Sequence, residues 1–110
     1  MEPIPELRRG DIVLAHAPPA GCFTATTKGG GMDSGDLDLA DALRSSSSPW
    51  LVLSGYVHNP ARWKDRCGGT ISLNPGVGTN AVVPNYITVD TATRRVRWFG
   101  DRELADVADL

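Results

Sequence analysis

Short apolar runs alternate along this chain with longer stretches rich in glycine, proline, serine and threonine. Residues 11–15 (Asp-Ile-Val-Leu-Ala) form an unbroken apolar run closed by His16-Ala17-Pro18-Pro19, the pattern of a strand covered on both faces. The prolines end the strand and stiffen its exit, which holds His16 at the strand tip. Residues 20–35 carry Gly29-Gly30-Gly31 and several threonines and read as a mobile surface loop. Lys28 precedes these glycines and no strand leads into them, which excludes a phosphate loop. The spacing over residues 34–45 predicts a helix. Ser34 is the expected N-cap, and Asp36 and Asp38 sit at the positive end of the dipole. Leu37, Leu39, Ala40 and Leu43 make the apolar face, with Arg44 in the last turn. Asp36, Asp38 and Asp41 therefore read as capping and solvated charges, not as a carboxylate cluster. Residues 45–49 link the helix to the next strand.

The chain is organised around residues 50–60, Trp-Leu-Val-Leu-Ser-Gly-Tyr-Val-His-Asn-Pro. Leu51, Val52 and Leu53 read as a buried strand that meets a turn at Ser54-Gly55. Tyr56 and His58 are two residues apart, so an extended backbone would send both side chains to the same side. Residues 61–66 are polar, with Trp63 among them, and Cys67-Gly68-Gly69 reads as a turn. Residues 70–73 predict a strand, 74–78 a loop, 86–90 a strand, 91–93 a tight turn and 95–99 the returning strand of a hairpin. Arg95 and Arg97 alternate with Val96 and Trp98, as on an edge strand with one wet face. Residues 101–110 read as an acidic, weakly helical tail.

With 110 residues the chain is expected to form one small domain, and a net charge of −2 gives no argument for a nucleic-acid or membrane surface. No run reaches the roughly 18 apolar residues of a membrane span, and residues 1–10, with Pro3 and Pro5, do not read as a signal peptide. Cys22 and Cys67 belong to no Cys-x-x-Cys pair. They read as reduced thiols of a cytoplasmic protein, with a single disulfide as the alternative.

Four segments together resemble the C-terminal half of a calcineurin-like metallophosphoesterase. They are Asp-Ile-Val-Leu-Ala-His-Ala-Pro-Pro (11–19), Ser-Gly-Tyr-Val-His-Asn-Pro (54–60), Ser-Leu-Asn-Pro-Gly (72–76) and Pro-Asn-Tyr-Ile-Thr-Val-Asp (84–90). The resemblance implies an α/β fold: half of an αββα sandwich, with one mixed sheet, one main helix and a C-terminal β-hairpin. It divides the chain into a lead-in (1–10), a partial domain (11–99) and an acidic tail (100–110). It implies that His16 and His58 are metal ligands, each to a different ion. Tyr56 stands where the family has the first histidine of Gly-His-x-His, and Asn59 and Asn74 lie beside the site. The implied cofactor is a divalent metal (Mn, Fe or Zn), held weakly by the isolated chain.

The family's remaining ligand segments are absent from this sequence, and its spare acids Asp33 and Asp36 match no family position. Two-metal phosphoester hydrolysis needs a bridging carboxylate that holds the ions ~3.5–4 Å apart. The expectation is therefore a truncated phosphoester hydrolase relative, inactive alone. The alternatives are one half of a split or oligomeric enzyme, and a non-enzymatic interaction module. A half-sandwich also leaves a sheet face uncovered, so self-association or a partner chain over the sheet is expected.

Overall fold

The computed structural model describes residues 4–29, 31–45, 48–78, 84–101 and 103–110. Gly30 of the triple glycine, Ser46 and Ser47 of the expected linker, residues 1–3 of the lead-in and Arg102 of the tail lie outside them. The chain divides into two compact units, Met1–Asn74 and Pro75–Leu110.

The first unit is a four-stranded mixed sheet with one helix. Its elements are β1 (Ile12–Leu14), α1 (Leu37–Ser45), β2 (Leu51–Leu53), β3 (Lys64–Cys67) and β4 (Thr70–Leu73). The strand order is β1-β2-β4-β3; β1, β2 and β4 are parallel and β3 is antiparallel to β4. Register places Val13, Val52, Ser72 and Asp65 in one row and hence on one face. The helix covers the β1–β2 part of that face, where Leu39 and Leu43 pack with Val52, Val13 and Leu7. Of these, Leu7, Leu39, Leu43 and Val52 are buried, and each such aliphatic side chain contributes ~1.5–3 kcal/mol. Residues of the 20–35 segment cover the rest. The Thr24 hydroxyl meets that of Ser72 at 2.8 Å, and the Phe23 N–H donates to the Asp65 carboxylate at 2.8 Å.

Several expectations are corrected here. β1 is not covered on both faces: it is an edge strand, with Ile12 42% and Leu14 81% exposed. The 20–35 segment is built into the unit. Cys22, Thr24 and Ala25 are buried, and Thr26 bridges to Asp33. Gly35 is there for a close approach, since a Cβ would come 2.5 Å from the Ala20 Cα. The cysteines are not free thiols: Cys22 and Cys67 form a disulfide across a Cα–Cα distance of 6.3 Å. Helix α1 is capped by Asp36, whose carboxylate accepts the Leu39 N–H at 3.0 Å, and not by Ser34. Leu37 lies off the apolar face and is exposed. Residues 64–67 are a strand where a polar segment was expected. Gly68-Gly69 makes the two-residue turn into β4, with Gly68 at φ 65°. The lead-in is anchored, since Leu7 is buried in the core.

The second unit is a three-stranded antiparallel meander of β5 (Tyr86–Asp90), β6 (Arg95–Gly100) and β7 (Glu103–Asp109). β6 is thus its central strand, not an edge, with Val96 fully buried. The expected helical tail is instead β7, which turns the expected hairpin into a sheet. Asp109 pairs with Arg95 at 3.0 Å. Trp98 donates its indole N–H to the Pro75 carbonyl at 3.0 Å, and Tyr86 stacks on Phe99 with centroids 4.6 Å apart.

Candidate site at the tips of β1 and β2

Parallel strands deliver their carboxyl ends to one edge of a sheet, and this is where open α/β folds place their ligand sites. Here the two tips are tied together. The Ala15 N–H donates to the Leu53 carbonyl at 3.0 Å, and the Gly55 N–H to the His16 carbonyl at 3.3 Å. Beyond His16 the buried Pro18 and Pro19 lead the chain past the start of α1. The Pro18 carbonyl accepts the Asp36 N–H at 2.8 Å.

Beyond β2 the backbone turns sharply. The Val57 N–H donates back to the Gly55 carbonyl at 2.6 Å, and Tyr56 between them has φ 61°. A non-glycine residue in this region costs on the order of 1–3 kcal/mol and persists where its surroundings hold it. The turn sends Val57 inward, 4% exposed, and Tyr56 outward. The Tyr56 ring then meets the His16 imidazole, with centroids 5.0 Å apart and planes tilted by 47°. The extended backbone expected at Tyr56-Val57-His58 is therefore not formed. Among the described residues His16 has a ring contact with Tyr56 and not with His58, which is exposed two residues further on.

Asn59 and Asn74 play different parts from one another. The exposed Asn59 accepts the Lys28 N–H on its carbonyl at 2.8 Å. Asn74 is fully buried and donates its side-chain amide to the carbonyls of Thr24, at 3.0 Å, and Val57, at 2.9 Å. It fixes the backbone behind the site. The 20–35 segment braces the same region from the other side. The Ala61 N–H donates to the Thr26 carbonyl at 2.7 Å, and the Arg62 guanidinium lies 5.3 Å from the centre of the Phe23 ring. Thr24, Phe23 and Asp65 were not expected near the site. The only local signal for them was the pair Cys22 and Cys67, whose bond draws the segment to β3.

The donor set does not fit a two-metal centre. Among the described residues there is no group of three or more His, Cys, Asp or Glu side chains placed to hold a metal ion. His16 has a phenol as its ring neighbour, and a neutral phenol is a poor ligand for a divalent ion beside imidazole or carboxylate. Among the described residues no helix is long and apolar enough to cross a membrane. Compared with family models, curated proteins and solved structures, the chain matches none of them.

Proposed function

We propose that this chain is a metallophosphoesterase-related half-domain that does not hydrolyse phosphoesters by itself. The observation that carries the reading is the contact of His16 with Tyr56 at the tips of two adjacent parallel strands. The motif resemblance pairs these two positions at one metal, with a histidine in place of Tyr56. The tyrosine removes one imidazole, and the bridging carboxylate of a two-metal hydrolase has no counterpart here. Single imidazoles bind divalent ions weakly, so a complete centre would need ligands from outside residues 1–110.

The test is hydrolysis of p-nitrophenyl phosphate and its bis-ester by the purified chain with added manganese. No turnover above buffer is expected, and none is expected from Tyr56→His. That variant should bind zinc or nickel more tightly, because it sets two imidazoles side by side. Manganese-dependent turnover by the wild-type chain, lost in both His16→Ala and His58→Ala, would replace this reading with that of a subunit of a split or oligomeric enzyme. A cytoplasmic setting, the other part of this reading, requires the fold to tolerate reduction of the Cys22–Cys67 bond. Thiol titration of the chain alkylated in its native cells before lysis decides that point: two free thiols support it, and none speaks for an oxidising compartment.

A further inference from the structure

We propose that the open edge of β1 is a docking site for an extended segment of a partner protein in which basic and apolar residues alternate. The proposal stands on the groove described below and does not depend on the phosphoesterase reading. β1 pairs only with β2 among the described residues, so its other edge is unpaired. The Asp11 carbonyl accepts from β2 at Leu51, and the Ala15 N–H donates to Leu53. Backbone groups of alternate residues point to opposite sides of a strand, so those of Ile12 and Leu14 face the open edge. They offer two N–H and two C=O groups to an added strand.

A groove of about 490 Å³ runs along this edge from Asp11 to His16, walled on the far side by residues 4–7. Its two flanks differ in chemistry. Three carboxylates, Glu6, Asp11 and Asp36, line the groove, Asp11 and Asp36 on the helix side, and among the described residues no Lys or Arg lines it. Asp11 shares the Val13 face by alternation, and Asp36 caps the helix that packs on that face. On the opposite face Ile12 and Leu14 are the exposed apolar side chains. A strand added here presents successive residues to the two faces in turn. One set meets carboxylates and the other meets Ile12 and Leu14, so the fitting segment has Lys or Arg at every second position and apolar residues between.

Among the described residues a second copy of the chain supplies no such strand. The described strand with this alternation is β6, Arg-Val-Arg-Trp-Phe-Gly, and both its edges are taken by β5 and β7. The edge strand β3, Lys-Asp-Arg-Cys, has an acid between its two basic residues and a disulfide-bonded cysteine after them. No described strand of a second copy offers such a segment, so the occupant proposed is a partner protein.

The probe is a fluorescein-labelled, end-blocked octapeptide alternating Lys and Val, titrated against the full chain and followed by anisotropy. Saturable binding is expected. A peptide of the same composition with its lysines and valines in two blocks should bind roughly tenfold more weakly, and so should an alternating Glu-Val peptide. Leu14→Pro removes an edge-facing N–H while leaving the β2 ladder intact, and should weaken binding by a similar factor. Glu6→Lys, at an exposed position, should weaken it by a smaller factor. Should Leu14→Pro fail to fold by circular dichroism, two backbone-methylated peptides take its place. Methylating the amides of one alternating set should abolish binding and methylating the other should spare it. The absence of saturable binding, equal affinity for alternating and blocked peptides, or equal tolerance of both methylations would each overturn the proposal.

Discussion

Asn74 spends one side-chain amide on carbonyls from two distant segments, Thr24 and Val57, inside a site that excludes water. A hydrogen bond kept is worth little net, but a buried carbonyl left without a donor costs ~1–3 kcal/mol. Asn74→Ala strips two carbonyls at once, so its urea midpoint should fall by the equivalent of about 2–4 kcal/mol. Asp90 is a second case in which one side chain organises backbone. The backbone N–H of Thr93 holds its carboxyl below the ordinary aspartate range, against a small loss of hydration. The Ala92 N–H, the Thr93 hydroxyl and Arg97 act in the same direction as Thr93 N–H. A carboxyl whose pKa is lower in the folded chain than in the unfolded one stabilises the fold above the unfolded value. It gives that stability up as pH falls through the folded one. Asp90→Ala should therefore melt slightly below wild type at pH 7. The difference should shrink below about pH 4. A thermal-melt series of both proteins across that range checks it; a gap that stays constant would mean that turn geometry and not charge is responsible. Neither residue announced its role in the sequence. Asn74 read as a loop residue beside a site, because nothing local tells that a polar side chain will be buried and satisfied from afar.

At the scale of elements, legibility followed apolar content. β2, β4 and β5 were readable because apolar or alternating residues fill them. β3 was not, because Lys64, Asp65 and Arg66 offer no apolar period; the Gly68-Gly69 pair was the usable signal for a hairpin there. β7 was missed because its acids suggest a solvated tail, whereas its pairing with β6 decides its conformation. The helix was legible, but its start was placed too early. Asp36→Ala should destabilise the fold by ~1 kcal/mol, and Ser34→Ala should have little effect on the helix. Denaturant melts of the two variants distinguish the caps directly. The 20–35 segment was misread because three glycines suggested entropy too costly to overcome locally. The Cys22–Cys67 bond changes that sum by closing a loop of sequence separation 45, an effect of ~4 kcal/mol in the chain-entropy view. Replacing both cysteines by serine should lower the melting temperature, and a reducing agent should lower that of the wild type but not that of the double variant.

For the whole molecule, the two-unit division falls at Asn74 and Pro75, inside the stretch that read as a single loop. The mixed α/β character was legible from the order of runs. The division was not, because it depends on which strands pair and not on composition. The second unit has 36 residues, the count from Pro75 through Leu110. Chains below ~40 residues rarely fold without a disulfide, a metal or a partner. Expressed alone, residues 75–110 should give a disordered circular-dichroism spectrum, whereas residues 1–74 retain the sheet, the helix and the disulfide and should melt cooperatively. A folded 75–110 fragment would show that the meander has enough core of its own.

The tilted Tyr56 ring also makes His16 visible to a method that needs no turnover. The chain has two histidines, so its proton spectrum holds just two sets of imidazole resonances. An aromatic ring 5.0 Å from one of them imposes a ring current, which the exposed His58 does not share with it. The displaced set belongs to His16 and should move to an unperturbed position in Tyr56→Leu. The site therefore carries its own reporter, and anything that enters between those two rings will be read as a change in one assigned signal.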